Sequence, residues 1–110
     1  MSERLVKLFA RMLYDIGRGY GSPQVKEFIK YILELRMDDK KKEELVKKAL
    51  QIAIALKTSR SLELLDKFIE STFKGENVDI KKIKEFIRIL VEHKGIKESR
   101  LRGIYLQALS

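Results

Sequence analysis

The residues of this sequence best suited to chemistry are cations on helical spacing. Arg4, Lys7, Arg11, Tyr14 and Arg18 recur every three or four positions, and at about 100° of rotation per residue they fall within roughly one quarter of a helical wheel. Lys81, Lys84 and Arg88 repeat the pattern at i, i+3 and i+7, and Arg100 and Arg102 follow towards the C-terminus. Lines of ammonium and guanidinium groups bind phosphates and release their counterions, so this spacing predicts contact with a nucleic acid. The plain alternative is the solvated outer face that every amphipathic helix has, and Asp15 beside the first line dilutes it. In Gly17-Arg18-Gly19-Tyr20-Gly21, three glycines permit unusual backbone angles, while Arg18 is offered to a phosphate and Tyr20 to a base. The alternative is a flexible turn between helices. No strand precedes it and no Walker lysine stands in place, which excludes a P-loop and a Rossmann fingerprint.

Catalytic groups are sparse. The single histidine, His93, has no cysteine, second histidine or carboxylate pair at ligand spacing beside it, so no zinc site and no cofactor is expected. Its plain role is a surface residue near a helix C-terminus, where the dipole favours a cation. In Arg88-Ile89-Leu90-Val91-Glu92-His93, however, the spacing of arginine and histidine resembles the ribonuclease motif of HEPN domains, which are small helical bundles. That resemblance implies a metal-independent ribonuclease with His93 as acid-base group and Arg88 stabilising phosphate charge. Ile89 departs from the polar residue usual after that arginine. This reading ranks second to a noncatalytic one.

The elements that must position these groups all read as helices. The stretch from Leu45 to Leu56 is apolar almost all round: Leu45, Ala49, Ile52 and Leu56 mark one side, and Val46, Leu50, Ala53 and Ile54 widen it. Only Lys47, Lys48 and Gln51 leave a polar strip. Such a helix must sit between partners, and Ala49, Ala53 and Ala55 permit close approach. Asp38 or Asp39 is expected to cap it, with Lys40-Lys41-Lys42 solvated and Glu43 to Lys47 and Glu44 to Lys48 as i,i+4 pairs.

The remaining helices are one-faced. Ser2 caps a first helix burying Leu5, Leu8, Phe9, Met12, Leu13 and Ile16 and stopped by Gly17. Ser22-Pro23 opens a second, with Val25, Phe28, Ile29, Ile32 and Leu33 inward and its end near Met37. Thr58-Ser59-Arg60-Ser61 breaks the central helix, and Ser61 caps a fourth with Leu62, Leu65, Phe68, Ile69 and Phe73 inward before Gly75. Asp79 caps a fifth with Ile80, Ile83, Phe86, Ile87, Leu90 and Val91 inward, ended by Gly95. A last helix from about Glu98 packs Leu101, Ile104, Tyr105 and Leu109, weakened by Gly103. The expected fold is all-α: residues 1 to 110 form a single domain, a compact bundle of five to six short helices around a central apolar helix.

Composition narrows the function classes further. The absence of cysteine excludes disulfides and thiolate metal sites, and one asparagine among many lysines and glutamates is the pattern enriched in thermophile proteins. The opening Met1-Ser2-Glu3-Arg4 leads into no long apolar segment, and the run Ile52 to Leu56 is too short to cross a bilayer; a cytoplasmic location without membrane contact is the expectation. The net charge of +8 favours an anionic partner. It is spread as +3 over residues 1 to 37, +2 over 38 to 75 and +3 over 76 to 110. No basic tail carries it, so folding must assemble any anion-binding surface.

A looser resemblance spans residues 22 to 95. Ser22-Pro23-Gln24-Val25-Lys26-Glu27-Phe28, the Ala-rich helix from Leu50 to Arg60, and Phe86 through His93-Lys94-Gly95 are similar to the small helical subunit of type III-A CRISPR interference complexes. Pro23 and Lys26 depart from that family's opening, its aromatic pair is reduced to Phe28, and Ile96 stands where a second glycine is usual. Ser99-Arg100-Leu101-Arg102-Gly103-Ile104-Tyr105 matches the opening better, at the other end of the chain. The resemblance implies a noncatalytic, RNA-binding subunit with an antiviral role. Together with the basic lines it gives the expected partners: nucleic acid, RNA ahead of DNA, and protein subunits of a larger complex or a second copy of the chain. A protein-binding adaptor is the third class, and its sign would be an exposed apolar patch.

Overall fold

The computed structural model describes residues 3–20, 23–59, 62–92 and 96–109. Side chains are described for all of these except 15–20, 23–24 and 108–109. Six helices follow one another among them: α1 (Glu3–Tyr20), α2 (Pro23–Glu34), α3 (Asp39–Thr58), α4 (Leu65–Thr72), α5 (Ile80–Glu92) and α6 (Glu98–Leu109). The radius of gyration, 12.9 Å, is what a compact domain of about this length has.

The 20-residue α3 is the axis of the bundle. Leu45, Val46, Ala49, Leu50, Ile52, Ala53 and Ile54 are buried on it, and it packs against α1, α4, α5 and α6. The two buried alanines remove the bulk that would hold those helices away. Around it α1 lies on α6 and α2, and α2 lies on α5. Phe28 of α2 and Phe86 of α5 stack nearly parallel with ring centroids 3.8 Å apart. One buried cluster runs through all six helices and takes in Ile96 from the α5–α6 connection.

Two of the expected caps are present. Asp38 accepts from the Lys41 N–H at 2.8 Å at the start of α3, and Asp79 accepts from the Lys81 N–H at 3.0 Å at the start of α5. Ser2, Gly21, Ser22, Arg60, Ser61, His93, Lys94 and Gly95 lie outside the described residues, as do the side chains of Ile16, Gln24 and Leu109.

Five expectations need correction. First, Gly17 does not stop α1, which continues through Gly19 to Tyr20. Glycine costs about 1 kcal/mol in a helix interior but removes no hydrogen bond, so a helix already anchored by Leu5, Leu8, Phe9 and Met12 runs past it. Residues 17–20 are therefore helix and not a phosphate-holding loop. Second, α2 ends at Glu34, three residues early; Leu35 N–H turns back to the Ile32 carbonyl, and the ammonium of Lys42 takes the Leu33 carbonyl at 2.9 Å. Third, Lys42 is thereby buried, not solvated, as is Glu43. A lysine that closes off another helix's C-terminus satisfies orphan carbonyls while its stem covers apolar surface.

Fourth, α4 is shorter and narrower than its sequence suggests. Leu64 occupies the cap position without a side-chain hydrogen bond, and only Leu65, Ile69 and Phe73 turn inward, while Leu62 and Phe68 are exposed. The buried stripe of α4 is narrow, running through Leu65, Ile69 and Phe73, and Phe68, about 100° round from Ile69, falls outside it. Fifth, Leu13 stands at the edge of α1, 36% exposed, for the same reason beside fully buried Met12.

The two glycines at Gly75 and Gly103 predict opposite outcomes. Gly75 has φ +85° after α4, where an L side chain is strained, so Gly75→Ala should lower stability by about 1–2 kcal/mol. Gly103 is helical and exposed, with no atom near the position of an added Cβ; Gly103→Ala should raise stability by roughly 0.5–1 kcal/mol. Urea denaturation of both variants checks the pair, and a shift of the same sign in both would contradict these backbone assignments.

Candidate nucleic-acid interface

The predicted cations divide into two groups once the helices are placed. On α1, Arg4 and Lys7 are exposed and Arg11 is half-buried, along the flank of the stripe formed by Leu5, Leu8 and Met12. On α6, Arg100 and Arg102 are exposed while Leu101 and Ile104 are fully buried. Because α1 packs on α6, these five cations come to one pair of neighbouring helices, with Arg100 and Arg102, about 200° apart, on opposite flanks of the buried stripe of α6. The helical position of Arg18 and Tyr20 is described, but their side chains lie outside the described residues.

The line on α5 has a different fate. Lys84 is paired with Glu70 of α4 at 2.6 Å, and Arg88 with Asp66 of α4 at 3.1 Å. Lys81, the third member, is exposed at the start of the helix. The α4–α5 contact thus spends two of the three cations on carboxylates. Lys84 is only 22% exposed in its pair, which holds it more firmly than a rim lysine.

Pairs within α1 and α6 are of a looser kind. Lys7 meets Glu3 at 3.2 Å with both side chains mostly exposed, and Arg102 meets Glu98 one turn away. Such i,i+4 surface pairs contribute only about 0.3–0.5 kcal/mol, so a phosphate can displace the carboxylate at little cost. Lys7 and Arg102 are therefore less firmly held than Lys84.

Those two helices carry apolar groups that the sequence pattern had assigned elsewhere or passed over. Val6 is 47% exposed, Tyr14 58% and Leu106 63%. Val6 and Leu13, seven residues apart, form one edge of α1, a spacing that could have revealed them. A second apolar surface, Leu62, Leu64 and Phe68, surrounds the start of α4.

Two other lysines prove structural. Lys57 near the end of α3 donates to the Ile96 carbonyl, tying the α5–α6 connection to the central helix, and burial pushes its ammonium pKa below the ordinary lysine range. Lys82 lies over the Tyr31 ring, 5.2 Å from its centre, and the Tyr31 hydroxyl accepts from the Asp79 N–H. Among the described residues no three metal-ligating side chains come together, and no helix is long and apolar enough to cross a membrane. Arg88 of the ribonuclease-like motif is engaged by Asp66, and its intended partner His93 lies outside the described residues. Comparison with known protein families, characterised proteins and solved structures finds no match for the chain.

Proposed function

We propose that this protein is a noncatalytic, RNA-associated helical module that contacts phosphates through the α1–α6 surface. The observation that carries the reading is that Arg4, Lys7, Arg11, Arg100 and Arg102 lie on two packed helices, where Lys7 and Arg102 make only i,i+4 surface pairs. Arg18 and Tyr20 continue the same helix and are kept in the proposed contact set. Lys81, exposed at the start of α5, is a further cation of the proposed set, whereas Lys84 and Arg88 rank lower because α4 carboxylates hold them. The sequence resemblance supports a place as a small subunit of a CRISPR-type ribonucleoprotein in the cytoplasm. Titration of a labelled single-stranded RNA at low salt tests the reading directly; absence of binding to RNA and DNA alike would sink it.

A second reading, docking to another protein, is favoured by Leu62, Leu64 and Phe68 at the start of α4. They stand exposed, Leu64 and Phe68 on the side of α4 away from the paired Asp66 and Glu70, which suits an apolar contact. As a subunit of an assembly the chain would use both surfaces.

The enzymatic alternative makes its own prediction. Purified protein incubated with single-stranded RNA in a chelator should leave it intact, because Arg88 is held by Asp66 rather than offered to a phosphate. Metal-independent cleavage that disappears in His93→Ala would reverse the ranking.

A further inference from the structure

We infer that the strand bound along α1 is single-stranded, with Tyr14 stacking on one of its bases. The inference rests on the phosphate reading above and names the kind of nucleic acid it takes. Around the outer side of α1, Arg4, Lys7 and Arg11 occupy one flank, and exposed Val6 and Leu13 the other. By helical rotation the two flanks are about 100–150° apart, and Tyr14 falls between them, next to the cations. Its ring is 58% exposed.

A duplex and a single strand fit this ridge differently. A duplex offers phosphates and hides its base faces, so an apolar flank and an aromatic ring beside the cations would face charged, hydrated backbone. A single strand has phosphates on one side and unpaired bases on the other. Cations then meet phosphates while Tyr14 meets a base face, with Val6 and Leu13 along the apolar flank beyond it. Lys7 and Arg11 are separated by about 6 Å along the axis, and Tyr14 by about 4.5 Å more, so all three lie within reach of a short run of nucleotides. Base stacking on an aromatic ring is tolerant of sequence, so this contact would not select particular bases.

The test compares a labelled 12-nucleotide oligouridylate with a 12-base-pair RNA duplex, by fluorescence anisotropy over a range of salt. Parent protein, Tyr14→Phe and Tyr14→Ala are measured, with helicity checked by circular dichroism. The parent should bind the single strand about tenfold more tightly than the duplex, and Tyr14→Ala should lose about tenfold on the single strand alone. Its salt slope should be unchanged, since no phosphate contact is lost, and Tyr14→Phe should bind as the parent does. Equal affinity for both polymers, or a Tyr14→Ala protein as tight as the parent, overturns the inference while leaving phosphate binding intact. Binding of neither polymer removes the phosphate reading itself, and the inference with it.

Discussion

Ile52→Asp should abolish the fold. Ile52 is 3% exposed in the middle of α3, where the central helix meets its neighbours. An unpaired charge in such a place costs several kcal/mol, against a total stability of roughly 5–15 kcal/mol for a domain. The helix offers its own control three residues on. Ala55 is exposed, so Ala55→Asp should cost only about 1 kcal/mol, from lower helix propensity and a negative charge near a helix C-terminus. Thermal denaturation followed by circular dichroism separates the two variants. A cooperative Ile52→Asp transition at the parental temperature would place that face of α3 at the surface and undo the account of the core.

The contrast between these neighbours shows what was legible in the sequence. A helix apolar on most of its circumference can only be central, and α3 is. The one-faced helices were also readable, because Ile83, Phe86, Ile87 and Leu90 on α5 fall on a single stripe and are all buried. Boundaries were less so. At Gly17 a local propensity suggested a stop, but a helix docked through four apolar residues tolerates a cost of about 1 kcal/mol. At Lys42 the run of three lysines looked like solvent-facing charge. Its partner, the Leu33 carbonyl, becomes available only when α2 ends beside α3, and no periodicity encodes that meeting.

The candidate site was half legible for a similar reason. Helical spacing put Arg4, Lys7 and Arg11 in one line on α1, where Arg4 and Lys7 are exposed and Arg11 is half-buried. It put Lys84 and Arg88 in a line on α5 as well, but the acids that hold them are 14 and 22 residues away in the chain. A wheel drawn for one helix contains no information about what stands on the next. The exposed edge of Val6 and Leu13 was hidden differently: Leu13 is assigned to the core because it is apolar, and Val6 is not assigned at all. Small bundles leave some apolar residues outside, since α1 is covered by neighbours over only part of its circumference.

Reversal of Arg4, Lys7 and Arg11 to glutamate is expected to remove RNA binding while leaving the fold in place. Each phosphate contact on a single strand contributes about 0.7 to the logarithmic salt slope, so loss of three should flatten it by roughly 2. Over a fourfold rise in salt, that difference amounts to about 20-fold in affinity by the same relation. At low salt the variant should be weaker still than simple loss implies, because three new carboxylates repel the strand. The effect should be similar for all sequences, as phosphate contacts position without specifying. Stability should change little, since Arg4 and Lys7 are exposed and Lys7 makes only a surface pair with Glu3. The comparison that gives the test its force is Lys84 and Arg88 reversed in the same way. Those two cations bind α4, so their reversal should cost stability more than affinity. If instead the α5 double reversal loses RNA and the α1 triple reversal keeps the parental slope, the contact surface lies across α4 and α5 and the α1–α6 assignment is wrong.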